Sequence, residues 1–307
     1  MATPRPPAVS RPCDVARPAR PPDPRRTGQY DRGMLSPDLT EAVLSNLGFS
    51  ERPALDRAGL DEIYRAWCRR VPFDNLVKRI HLAGGSTAPI PNGPPDAFFA
   101  SWLAHGTGGT CWPSAGGLHA LLVELGFDAR RGSAAMFDNL YGPIHTHGTT
   151  LVRVDGVDYW VDSSMLTDVA LPLVPHAPTR HDDPVSPVWA EPVDDLWRVW
   201  WTSAANGEEI GCLLLADDVT SAHYLARYEA SRDLSPFNAA VYANRNVDDA
   251  RITIAVGQRF ERRPDGITSA PLGDDRDRVL IEEFGYSDAI VAQIPADDPK
   301  DPGSTFS

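Results

Sequence analysis

The chain has 307 residues, 42% hydrophobic and 23% charged, the balance of a soluble globular protein with room for two or three cores. Its formal net charge is −13, which sets it against nucleic-acid partners, and no run approaches the roughly 20 apolar residues that would bring a membrane into play. Four scattered cysteines, Cys13, Cys68, Cys111 and Cys212, form no CxxC pair. That argues against a disulfide framework or a structural zinc and for a reducing, cytoplasmic setting, as does an N-terminus without an apolar signal core.

Residues 1–33 hold eight prolines and seven arginines against three aspartates, a local charge of +4 that leaves −17 for the rest. They read as a disordered Pro/Arg-rich tail. Met34 follows directly, and one reading makes it the native start.

Ordered sequence begins with a helix that Ser36 caps, Pro37 opens and Gly48 ends. A second helix runs from about Asp56, with Leu60, Ile63, Tyr64 and Trp67 on one face. A third is expected over 96–104. A fourth begins near Cys111, carries Leu118, Leu121, Leu122 and Leu125, and stops at Gly126. The pattern then changes to period two, predicting strands near 129–136, 147–154, 157–162, 196–202 and 210–215, with the Pro-rich stretch 172–192 as a long loop. A last region mixes a helix near 219–231, strands at 237–243 and 251–260, and a helix near 276–284.

Two segments carry chemistry. In GTGGTCWPSAGGLHALL, Cys111 follows a glycine-rich turn and opens a helix. Unpaired backbone N–H groups and the positive end of the helix dipole both favour a thiolate there. In IHTHGTTLVRVDGVDYWVD, Asp155-Gly156 marks a two-residue hairpin turn. Pairing Val154 with Val157 brings Thr149 opposite Asp162 and makes His147 a diagonal neighbour of Asp162. His145 is expected on the same face, one pleat further away. A thiol enzyme needs a base beside the sulfur and a third group that orients it; Cys111, His147 and Asp162 are the candidates. Singly, each has a bland reading: a packing cysteine, a polar strand residue, a strand-end cap. A zinc reading uses His145, His147 and Asp162, though no second cluster adds ligands. Cys68 and Cys212 read as packing residues, as do the remaining histidines at the surface or in the core. Trp160, Trp200, Trp201 and Phe127 are candidates for an aromatic pocket.

These residues resemble the arylamine N-acetyltransferase family, within the transglutaminase-like superfamily. That family carries a Cys-His-Asp triad in this order, its cysteine after a Gly-Gly-x turn as in GGTC. VPFDNL (71–76) is similar to its Val-Pro-Phe-Glu-Asn-Leu element, and the likeness spans about residues 36–290. Thr107 stands where the family has Arg, Pro113 where it has Glu, Asp74 for Glu, and Ser163 to Leu166 for Val-Gly-Phe-Gly.

The resemblance implies an α+β, three-part arylamine N-acetyltransferase-like fold. A helical bundle (34–127) would carry the nucleophile, a β-barrel (128–215) His147 and Asp162, and an α/β lid (216–298) would precede a flexible C-terminus (299–307). It implies ping-pong transfer of an acetyl or other acyl group from acyl-CoA through Cys111 to an arylamine, hydrazine or related small-molecule amine. No permanently bound cofactor is expected, with acetyl-CoA or another acyl-CoA as co-substrate, and Arg130 and Arg131, or residues of the last domain, are candidates to meet it. The same triad also suits a transglutaminase-like thiol hydrolase or an amide synthase of a biosynthetic pathway, or a binding protein that kept the fold without the chemistry.

Overall fold

A computed structural model describes residues 35–137, 144–203, 205–233 and 235–297. The tail at 1–33 and the C-terminus at 299–307 lie outside the described residues. The first helix, α1 (Pro37–Leu47), is capped by Ser36, whose hydroxyl accepts from the N–H of Leu39 at 3.2 Å, and ends at Gly48 with φ 92°. Asp56 caps α2 (Arg57–Arg70), which buries Leu60, Ile63, Tyr64, Trp67 and Cys68. After a two-residue strand, β1 (Phe73–Asp74), comes a short helix the periodicity does not announce, α3 (Leu76–Ala83), then α4 (Pro95–His105) and α5 (Cys111–Leu125). Nearly every residue of α5 is buried, as expected of a helix enclosed on all sides.

Eight antiparallel strands follow. They are β2 (Asp128–Met136), β3 (His147–Val154), β4 (Val157–Val161), β5 (Leu171–Leu173), β6 (Thr179–His181), β7 (Val188–Val193), β8 (Leu196–Thr202) and β9 (Glu209–Ala216). Their order is β5-β4-β3-β2-β9-β8-β7-β6. The two ends of this sheet approach each other, and Thr179 of β6 donates its hydroxyl to the Pro172 carbonyl of β5 at 2.6 Å, so the sheet is a nearly closed barrel. Its interior is filled by Leu151, Trp160, Val188, Val199, Cys212 and Leu214 among others, the alternation a barrel requires.

The stretch 172–192 is therefore not a long loop but contains parts of three strands. Proline hid them. Pro172 sits on terminal strand β5, and Pro192 lies in β7 beyond its pairing with β6 at 188–190, places where a missing donor costs no ladder bond.

A helix, α6 (Ser221–Ala230), leads to a second antiparallel sheet. Its strands are β10 (Ala243–Val247), β11 (Ala250–Ala255), β12 (Gln258–Arg263) and β13 (Gly266–Pro271), and β1 joins its edge through Phe73↔Asn244. Helices α7 (Arg276–Glu282) and α8 (Asp288–Val291) contribute Val279, Leu280, Ile290 and Val291 to its core. The strands expected at 237–243 and 251–260 are displaced: the second run breaks at Val256-Gly257, both at positive φ (47° and 70°), into two strands of a hairpin. Valine seldom turns a chain, so the run reads as continuous.

Candidate active site

Cys111 is the first residue of α5 and only 8% exposed. The turn before it passes so close to β1 that a Cβ on Gly108 would lie 1.7 Å from the Pro72 carbonyl oxygen, so only glycine fits. Asp74 fixes this turn twice. Its N–H donates to the Gly109 carbonyl at 3.3 Å, and its carboxylate accepts the N–H of Gly108 at 2.6 Å. The same buried carboxylate accepts the Leu76 N–H at 3.1 Å, starting α3, and the Tyr286 hydroxyl at 3.0 Å. Burial pushes Asp74 up to about 6, against the pull of those three donors.

Strand β3 opens on His147, and its hairpin with β4 has the register Val154↔Val157 through Thr150↔Val161. One further step brings Asp162 beside His147: Nε2 and Oδ2 are 2.7 Å apart, with His147 5% and Asp162 0% exposed. The other carboxylate oxygen accepts the N–H groups of Ser164 at 2.8 Å and Met165 at 3.2 Å. Tyr64 of α2 braces the backbone, donating its hydroxyl to the Asp162 carbonyl at 2.7 Å and accepting the Asp162 N–H at 3.2 Å. With Nε2 committed to Asp162, Nδ1 is the ring nitrogen left to face Cys111, whose sulfur adds to the upward pull on the imidazole. The sulfur also lies 3.9 Å from the carbonyl oxygen of Thr146.

The electrostatics follow. Burial alone would strip the proton from His147, but the charge and hydrogen bond of Asp162, with a further contribution from Cys111, raise it to about 10. Burial would likewise raise Asp162; the facing imidazolium and the Ser164 N–H hold it below the usual carboxylate range. The ring of Trp201 stacks on His147 at 6.1 Å between centroids, giving the imidazole a flat apolar wall. The three candidates are thus brought together by elements far apart in the chain.

His145 does not share the face of His147. Ser133 pairs with Gly148 and Ala134 with His147, so Ser133 and His147 point to opposite sides of the sheet. His145 Nδ1 is 2.7 Å from Ser133 Oγ. Regular pleating begins only at His147, so alternation cannot be extended backwards past it. This separates the zinc ligand set of His145, His147 and Asp162, and among the described residues no group of three metal-ligating side chains occurs.

Other candidates also part company. Trp160 fills the barrel and Phe127 the helical core, while Trp200 stacks with Trp189 at 6.4 Å and packs on Phe137, leaving Trp201 at the site. Arg130 is held by Asp217 at 2.6 Å and Asp158 at 2.7 Å, and Arg131 is buried; neither presents a free guanidinium to a phosphate. Cys68 and Cys212 are wholly buried, and burial drives both thiols upward, away from nucleophilic use. Tyr286 had no mark in the sequence and Tyr64 only that of a core-facing helix residue, since each meets the site only through the fold.

The chain and its fold have known likenesses. Residues 56–184 match the family model described as N-acetyltransferase. An arylamine N-acetyltransferase of Mycolicibacterium smegmatis is 30% identical over 150 residues, covering 45% of this chain and 52% of that protein. The proansamycin X synthase of Amycolatopsis mediterranei (strain S699) is 27% identical over 124 residues, 40% of this chain and 46% of that one. The chain thus matches about half the length of these curated relatives. The structure of Mycobacterium marinum arylamine N-acetyltransferase in complex with CoA superimposes with a TM-score of 0.69 at 19% identity, covering 82% of this chain and 94% of that one. No helix of the described residues is long and apolar enough to cross a membrane.

Proposed function

We propose that this chain, a divergent member of the arylamine N-acetyltransferase family, moves an acyl group from an acyl-CoA thioester through Cys111 to a small amine. The observation that carries this reading is the buried His147–Asp162 pair, 2.7 Å across, set against a thiol at the start of a helix.

In this mechanism the thiolate of Cys111 attacks the thioester carbonyl. The first N–H groups of α5, which have no intrahelical partner, receive the oxyanion. The tetrahedral intermediate collapses, the CoA sulfur leaves, and His147 gives up its proton to it. The neutral imidazole then takes a proton from the incoming amine as its nitrogen attacks the Cys111 thioester, and collapse of this second intermediate breaks the C–S bond, releasing the amide and returning Cys111 as a thiolate beside the imidazolium. Asp162 keeps Nε2 occupied throughout, so Nδ1 always faces the reacting atoms. No metal or permanent cofactor enters these steps; acyl-CoA is a co-substrate.

A second reading, amide formation on a larger acyl chain, is favoured by the likeness to a proansamycin X synthase. The departures from the family pattern at Thr107, Pro113 and Ser163, all buried, leave the triad in place. The test is a donor screen: acetyl-CoA, longer acyl-CoAs and acyl N-acetylcysteamine thioesters are incubated with the protein and the intact mass is read. A mass gain of one acyl group that disappears in Cys111→Ala supports the assignment, and the donor giving the fastest gain chooses between the readings. A gain that survives in Cys111→Ala rejects it, and release of free acid as the sole product with every amine identifies a hydrolase.

A further inference from the structure

The opposite face of the barrel wall carries a second cluster that the mechanism does not use. Ser133, wholly buried, sets its hydroxyl 2.7 Å from His145 Nδ1 and 3.1 Å from His223 Nε2. The two rings meet edge to face at 5.0 Å, and both are half-buried. His223 and Arg227 are four residues apart on α6, hence one turn apart on one face, while Tyr224 and Tyr228 take the core side. The Nε of Arg227 is buried with no hydrogen-bond partner, and no ion pair to Arg227 occurs among the described residues.

Two features tie this cluster to the thiol. The ring of Trp112, next in the chain to Cys111, lies 6.0 Å from that of His223. His145 and His147 flank Thr146, whose carbonyl faces the sulfur. Burial and then the Arg227 charge both pull the proton off His145; for His223, burial, His145 and Arg227 do the same. Arg227 therefore brings a positive charge beside two rings held toward the neutral form, with no ion pair to it among the described residues, in a chain of net charge −13. A cation would be repelled by Arg227, so the convergent donors do not suit a metal. An oxyanion would accept from the guanidinium and from the ring N–H that Ser133 leaves free, its hydroxyl accepting from one imidazole and donating to the other, and would supply the missing countercharge.

We propose that His145, His223 and Arg227 form a recognition site for the phosphate or carboxylate oxygens of a substrate whose reacting end lies at Cys111. The location of that reacting end rests on the acyl-transfer reading; the binding itself does not. The test follows the ring resonances of His145 and His223 by NMR in the full chain, assigned with His145→Gln and His223→Gln, while CoA, 4-aminobenzoate or inorganic phosphate is added. The expected result is a saturable shift of both rings, weakened about tenfold in Arg227→Gln, the ordinary worth of one charge-assisted hydrogen bond, and largely restored in Arg227→Lys.

A response to CoA alone assigns the site to the donor's phosphates, and a response to 4-aminobenzoate alone to the acceptor's carboxylate. No response to either, or a response to inorganic phosphate only, overturns the proposal. A turnover arm compares acetyl-CoA with the uncharged acetyl N-acetylcysteamine thioester: for a donor site, Arg227→Gln lowers the ratio of their acylation rates about tenfold. Should no donor acylate Cys111 while the rings still respond to CoA, the acyl-transfer reading fails and this site stands.

Discussion

Two imidazoles stand two residues apart at the mouth of the barrel, and the two faces of the sheet give them opposite characters. His147 turns toward Asp162 and holds its proton to about 10; His145 turns toward Ser133, His223 and Arg227 and is pulled below its ordinary value. Burial pulls both toward the neutral form, the more deeply buried His147 included, so it does not explain why His147 keeps its proton. The sign of the neighbouring charge does. One face is equipped to keep an imidazolium beside a sulfur, the other to present neutral rings and a guanidinium to an anion.

The comparison breaks most severely if the carboxylate is neutralised. Asp162→Asn removes the charge that holds the proton on His147 and frees the ring to adopt the wrong tautomer. We expect acyl transfer to fall about 10³- to 10⁴-fold, as when the orienting acid of a catalytic triad is neutralised. Single-turnover acylation measured by mass spectrometry checks this, and a loss below tenfold would show that Asp162 does not govern the ring. His147→Gln should fall similarly, and His145→Gln should remain at least about a hundredfold faster than His147→Gln with an uncharged thioester.

The next effect concerns Asp74, which holds the nucleophile turn. Its folded value of about 6 lies above the roughly 3.9 of an unfolded aspartate. The folded chain therefore binds the extra proton between these values, and stability falls as the pH rises from about 4 through 6. Asn cannot titrate, so the stability gap between wild type and Asp74→Asn should shrink by about 2 to 3 kcal/mol over that window. Urea unfolding at pH 4, 5, 6 and 7 reads this, and a constant gap would contradict it.

The two members of the pair at the site run in opposite directions, His147 in the same sense as Asp74. Asp162 contributes stability above about 3.9 that is lost as the pH falls through its lower folded value, and His147 contributes below about 6.5 and loses it as the pH rises through about 10.

The smallest expected effect is Tyr64→Phe, which removes the hydroxyl bracing the backbone of Asp162. A cost of about 1 to 3 kcal/mol in unfolding free energy is expected, since buried partners are left unpaired. A smaller loss of acylation rate than in Asp162→Asn should accompany it, because the carboxylate keeps its bonds to Ser164 and Met165.

Much of this was legible in the amino acids. Ser36, Pro37 and Gly48 bound α1 through local capping chemistry, and Asp155-Gly156 sets a register that carries His147 to Asp162. The glycine turn before Cys111 likewise signals close backbone approach. The unreadable parts share a cause, the absence of a local signature. Helix α3 has no side-chain cap at Asn75. β11 and β12 part at a valine in the left-handed region. His145 precedes the regular strand, where alternation says nothing of its side. Asp74 and Tyr286 are 212 residues apart, a contact that only packing of the second sheet against the nucleophile turn creates.

At the centre of the account is a proton kept on His147 between Asp162 and Cys111. The most direct measurement is a ¹H–¹³C NMR titration of that imidazole in the wild-type chain. The account predicts the imidazolium resonance from pH 6 to 9, reverting in Asp162→Asn to a midpoint at or below the ordinary value of about 6.5. A wild-type midpoint near 6.5, unmoved by Asp162→Asn, would contradict it.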